Sequence, residues 1–194
     1  MPNRILSLVV AALLLSGCQT LPTSTNPKVQ LTENVQLELQ SSWNGPATQT
    51  LHQVLWSHPE QESRTLLVSS LLSAEQIVMV GLSPLGQELW RVELGKQQPI
   101  TVTGIAPFDQ PQLARAIVAD MQLQRWPLTE LQRHLQGASI TATANGRRVI
   151  SDDKQLIWST RTEADITILQ HHSAGYSLQL RTLEETGVQP DAAD

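Results

Sequence analysis

Cys18 is the single cysteine of the 194-residue chain, and its neighbourhood suits it to react as a nucleophile. It closes the tetrapeptide Leu15-Ser16-Gly17-Cys18. The thiolate is the reactive form of cysteine, and without a second cysteine it has no disulfide partner. The small residues at 16 and 17 fit a peptidase cleft. Upstream, Arg4 precedes an apolar run from Ile5 to Leu15, interrupted only by Ser7. That run falls short of the roughly 20 residues a membrane span needs and has the proportions of the apolar core of a secretory signal.

The other reactive side chains form no comparable grouping. His171 and His172 are adjacent, and neighbours on a strand point to opposite faces, so they do not share one ion. His52, His58 and His134 are scattered. There is no Gly-x-Ser-x-Gly elbow, and Ser69 and Ser70 lie in a strand-like run without a base beside them. Asp152-Asp153 reads as a solvated turn. Arg147-Arg148 is too small a basic pair to hold anionic lipid surfaces. A formal net charge of −5 argues against nucleic acid as a partner. These residues predict neither an enzyme nor a metal site.

Leu15-Ser16-Gly17-Cys18 resembles the lipobox of bacterial lipoproteins. The resemblance implies cleavage after residue 17, a thioether-linked diacylglycerol and an N-acyl chain on Cys18, and no other cofactor. Gln19, where an Asp would mark inner-membrane retention, implies the outer membrane, with the periplasmic face as the expected side. Two or more acyl chains anchor a protein stably, so residues 18–28 read as a lipidated cysteine and a polar Pro/Thr-rich tether.

The elements that follow are mostly strands. Val35, Leu37 and Leu39 alternate with polar residues. Thr48 to Trp56, Thr65 to Leu72 and Ile77 to Leu82 are further strands, with a polar loop at residues 58–62 and a turn at Asn44-Gly45-Pro46. Ser83-Pro84-Leu85-Gly86 is a tight connection into a strand with Trp90, Val92 and Leu94 on one face, so Leu85 falls at a hairpin tip. Ile100 to Val102 follows. A helix begins at Asp109 or Gln110 with Pro111 in its first turn, carrying Leu113, Ile117 and Met121 as an apolar stripe. Trp126-Pro127 breaks it. A second short helix carries Leu128, Leu131 and Leu135 and closes at Gly137. Strands then resume around Asn145-Gly146, a strong hairpin signal, and run to Leu183, with a polar tail from 186 to 194. About ten antiparallel strands form a sheet that tends to curl. The predicted fold is α+β: a curled antiparallel sheet, a half-barrel, with two helices covering the open mouth.

Three segments in this order resemble LolB, the outer-membrane receptor of the bacterial lipoprotein-localisation system. They are Val54-Leu55-Trp56, Leu82-Ser83-Pro84-Leu85-Gly86 with the Glu88-Leu89 strand, and Trp126-Pro127-Leu128-Thr129-Glu130-Leu131 running to Gly137. Gly81 to Gly86 and Leu123 to Leu128 are also similar to LolB-like lipoproteins encoded beside aryl-polyene genes. The resemblance implies the LolA/LolB half-barrel over residues 29–185, with an apolar cavity for acyl chains. It further implies a membrane-inserting leucine at the hairpin tip, which is Leu85 here, and a LolA-like carrier and an exporter as partners.

Together these readings predict a monomeric outer-membrane lipoprotein. It would bind an acyl or polyene lipid, or lipoprotein acyl chains, and help insert it into the membrane. The alternative is an adaptor scaffolding an envelope complex. Cavity-lining candidates are Trp56, Trp90, Trp126 and Trp158, with Leu113, Ile117 and Met121 from the first helix and Leu128, Leu131 and Leu135 from the second. The pattern leaves open whether those helical residues cover a filled core or a hollow one, and whether Leu85 packs back on its sheet.

Overall fold

Alternating apolar and polar residues carry most of this chain into strands, and the computed structural model describes residues 26–96 and 98–188. The expected signal and Cys18 lie outside these residues. The elements in chain order are β1 Lys28–Thr32, β2 Val35–Glu38, β3 Thr48–His58, β4 Gln61–Leu72, β5 Gln76–Leu82, β6 Glu88–Gly95 and β7 Thr101–Gly104. Then come helix α1 Pro111–Arg125 and helix α2 Leu128–His134. The chain finishes with β8 Leu135–Gln136, β9 Ala138–Ala142, β10 Gly146–Ser151, β11 Leu156–Glu163, β12 Ile166–His171 and β13 Tyr176–Gly187.

Ten strands form one antiparallel sheet in the order β7-β6-β5-β4-β3-β13-β12-β11-β10-β9. Successive hairpins account for every neighbour but one. The exception joins β3 to β13, which pair from Ser57↔Ser177 to Thr48↔Gly187 across a bulge between Thr182 and Glu184. The outer strands β7 and β9 do not pair with each other, so the sheet stays open. This is the α+β half-barrel that the residue pattern predicts.

A second, three-stranded sheet has the order β1-β2-β8. Helix α1 packs against β1 and β7, and α2 against β8 and β9. Val35, Leu37 and Leu39 are fully buried there with Val118, Leu123 and Leu131. The side-chain amide of Gln122, itself fully buried, donates to the Gln40 carbonyl at 2.6 Å and accepts from the Gln40 N–H at 2.9 Å. One amide thus satisfies two backbone groups that would otherwise be stranded.

Pro111 opens α1 with its φ already helical and no N–H to leave unpaired. The helix stops at Trp126, which adopts φ −66°, ψ 152°, as a residue preceding proline tends to. Arg147 then donates to the Leu123 and Trp126 carbonyls at 3.0 and 2.6 Å, placing a cation on the negative end of the helix dipole.

Several boundaries differ from the sequence expectation. Lys28–Thr32 is a strand, so residue 28 belongs to the sheet rather than the tether. β4 begins at Gln61, because the β3–β4 hairpin continues its pairing through the polar residues to His58↔Gln61. β13 extends to Gly187, where backbone pairing with β3 outweighs a polar sequence. Gly137 does not cap α2. The chain passes from His134 straight into β8, and Gly137, at φ +76°, turns β8 into β9. A Cβ there would stand 2.0 Å from the Asn34 carbonyl oxygen.

Candidate functional site

Between the concave face of the large sheet and α1 lies a half-open hollow of about 370 Å³. Small-molecule sites span roughly 300–1,000 Å³. The two-residue period of strands builds its floor. β3 contributes Thr50, His52, Val54 and Trp56, all of one parity, and β4 contributes Leu66, Val68, Ser70 and Leu72. Leu178 and Leu180 of β13, Leu169 of β12, Met79 of β5 and Trp90 of β6 extend it. Leu113, Ile117, Asp120, Met121 and Gln124 of α1 form the roof, and Pro107 and Phe108 close one side. The i, i+4, i+8 stripe on α1 therefore faces the hollow, while Ala114, Val118, Ala119 and Leu123 pack into the core.

Trp90 reaches the hollow because its cross-strand partner is Gly81. The indole lies over that glycine so closely that a Cβ at residue 81 would sit 2.1 Å from the ring. Glycine inside a strand commonly marks such an approach.

One ionisable group is embedded in the apolar wall. Asp120 is 5% exposed. It accepts from the Trp158 indole N–H at 2.9 Å and from the Tyr176 hydroxyl. Burial pushes its carboxyl up to about 7, against the opposing pull of those two hydrogen bonds. The Tyr176 hydroxyl is raised well above the usual tyrosine range, by burial and then by Asp120. His171 stands 5.1 Å from the Tyr176 ring. Burial, with a smaller contribution from His172, lowers it to about 4, so it is neutral at pH 7. These groups hold α1 against β11 and β13, leaving a wall with few polar atoms to offer.

Of the residues singled out from the sequence, Trp56, Trp90, Leu113, Ile117 and Met121 line the hollow. Trp126, Leu128, Leu131, Leu135 and Trp158 do not. Trp126 is buried edge-on against Trp43, with ring centroids 4.8 Å apart. Leu131 and Leu135 are buried in the core, and Leu128 packs against it. α2 follows α1 at a break and packs on β8 and β9, away from the hollow. Trp158 is fully buried and meets the site only through Asp120.

Asp120, Tyr176, Gln124 and Arg125 also line the hollow, and no sequence motif marks them. The available signal was an acidic residue inside the apolar run Ile117-Val118-Ala119-Asp120-Met121. Leu85 is 97% exposed at the β5–β6 tip, on a turn closed by Gly86 N–H to the Ser83 carbonyl at 2.9 Å. It does not pack back on the sheet. Among the described residues no three or more His, Cys, Asp or Glu cluster as metal ligands, and no helix is long and apolar enough to cross a membrane.

An open half-barrel with an apolar interior, roofed by a helix, is thus the class that fold and site define. The chain belongs to the family described as "Protein of unknown function (DUF3261)", whose profile matches residues 49–184. That span covers the sheet from β3 into β13 and both helices. No curated protein sequence matches the chain. In fold it is similar to a LolA-superfamily protein from Nitrosomonas europaea (TM-score 0.47, 9% identity, covering 77% of this chain and 90% of the other). It is also similar to a putative outer-membrane lipoprotein-sorting protein domain from Vibrio parahaemolyticus (TM-score 0.41, 7% identity, 78% and 88% covered).

Proposed function

We propose that this protein is an outer-membrane lipoprotein, anchored through Cys18, that takes the acyl or polyene chain of a lipid-like cargo into the hollow and helps insert it into the membrane. The observation that carries this reading is the hollow itself, about 370 Å³ with walls built mainly of Val, Leu, Ile, Met and Trp side chains. Leaving such a surface wet is unfavourable, and a buried methylene contributes about 0.8 kcal/mol. Eight methylenes would contribute roughly 6 kcal/mol, enough for capture and weak enough for release to a bilayer. The buried carboxyl of the wall, Asp120, is engaged by Trp158 and Tyr176 in holding α1, which suits carriage rather than catalysis. Leu85, almost wholly exposed, is suited to touch the membrane during release. An adaptor with a filled core would have no use for this space.

The test is a preparation beginning at residue 19, which retains every strand and helix of the domain. It is isolated from its native envelope without detergent and examined by native mass spectrometry and solvent extraction. A reproducible adduct that extracts as a lipid or polyene is expected. A clean apo mass, with no uptake of added acyl or aryl-polyene lipids, would overturn the reading in favour of an adaptor.

A further inference from the structure

A second, more open hollow, of about 460 Å³, lies beside the first and is far more polar. Gln124 and Arg125, at the C-terminal end of α1, line both. The remaining walls are Arg147, Thr160, Thr162 and Thr167, with Asn145-Gly146 at the β9–β10 turn. The first hollow is mainly apolar, the second is lined by polar side chains that include the guanidinium groups of Arg125 and Arg147, and they meet along a shared pair of residues.

Arg147 gives the polar hollow its character. One of its terminal nitrogens is committed to the Leu123 and Trp126 carbonyls. No carboxylate pairs with it among the described residues, although it is half removed from water, a burial that lowers its pKa. Arg125 is paired with Glu185 at 3.3 Å. The three side-chain charges sum to +1, of which the negative end of the α1 dipole offsets about half, leaving the site net positive. Among the described residues the Gln124 amide has no hydrogen-bond partner, and the Thr162 and Thr167 hydroxyls bond only to each other, at 3.2 Å. An arginine without a counter-ion, beside a free amide and hydroxyls, is equipped to hold a planar or tetrahedral oxyanion.

We propose that the cargo is a single-chain anionic amphiphile, with its chain in the apolar hollow and its phosphate or carboxylate head against Arg147 and Arg125 in the polar one. The proposal rests on the carrier reading above and adds the class of cargo. The net charge of the cluster favours one negative head and disfavours a cationic one. It also gives the head a fixed place at the end of α1, so that chain and head are recognised by different walls.

The test compares ligands of equal chain length on the domain beginning at residue 19, below their micelle concentrations. The fluorescence of the cavity tryptophans Trp56 and Trp90 serves as the readout. The probes are oleoyl lysophosphatidic acid, oleic acid, monoolein and inorganic phosphate alone. The two anionic lipids are expected to bind about tenfold tighter than monoolein, an advantage that shrinks as salt rises from about 50 mM to about 500 mM. Arg147→Gln should collapse the anionic-to-neutral ratio, and Arg147→Lys should keep part of it. If Arg147→Gln loosens the fold by circular dichroism, the wild-type ratio and its salt dependence decide alone. Equal affinity for anionic and neutral lipids would overturn the proposal and leave the carrier reading standing. Failure of every lipid to bind would overturn both. Saturable binding of phosphate without an anionic-lipid advantage would mark a free-anion site and overturn the amphiphile assignment.

Discussion

Tyr176 of β13 donates its hydroxyl proton to the carboxyl of Asp120 of α1, tying the roof of the hollow to its wall across 56 positions of sequence. Because burial holds Asp120 near 7, the folded state keeps a proton that the unfolded chain gives up around its ordinary value of 3.8. The raised group favours the fold most at and below that ordinary value, and its contribution is lost as pH rises through about 7. His171, depressed to about 4 from 6.5, works in the opposite sense, its contribution being lost as pH falls from 6.5 toward 4. Asp120→Asn removes only the first effect, and a rotated Tyr176 hydroxyl can accept from the new amide. The variant should therefore gain stability relative to wild type between pH 5 and pH 8 in chemical denaturation. An unchanged difference across that range would refute a raised Asp120.

Gly81→Ala should push the Trp90 indole off its seat, because the new Cβ would meet the ring at 2.1 Å. Overpacking of this kind costs about 1–3 kcal/mol. The displaced ring has the hollow to move into, so uptake of long acyl chains should fall more than uptake of short ones. A titration with fatty acids of graded length reads this out. A uniform loss would place the effect on the fold instead.

Leu85→Glu should leave stability within about 0.5 kcal/mol of wild type, as expected of a side chain that touches nothing. Lipid binding should persist, and transfer from the protein to vesicles should slow. Transfer at the wild-type rate would remove Leu85 from the release step.

Gln122→Leu would strand the N–H and carbonyl of Gln40 against a buried helix. The expected cost is about 1–3 kcal/mol, seen as a lower denaturation midpoint. Hydrogen exchange at β1 and β2 should rise before that of the large sheet. No change in either would mean that water replaces the amide.

The curled sheet and its helical pair were legible because strand alternation, Pro111, Trp126-Pro127 and Asn145-Gly146 act over a few residues. The tip position of Leu85 followed from a turn signal of the same range. The division of labour among apolar residues was not local. Leu113 and Leu131 look alike in a helical pattern, yet one faces the hollow and the other the core, because α1 and α2 diverge at Pro127. Trp158 read as a cavity wall, since nothing adjacent in sequence reveals that its indole N–H is held by Asp120. The polar hollow was equally hidden. In the sequence Arg147 is only half of a basic pair, and the groups around it lie on α1, β11 and β12, brought together by the sheet order.

The open sheet ends in two strands with no neighbour beyond them, β7 and β9. An exposed edge is a template on which another chain can grow. β7 is only four residues long. On β9 the side chain of Gln132 accepts from the Ile140 N–H at 3.0 Å and donates to the Ala138 carbonyl at 3.2 Å. A single glutamine thus plays the part of the missing strand for two residues. The half-barrel stays open while this part of the edge is closed to intermolecular β-pairing, so an open sheet need not also seed aggregation.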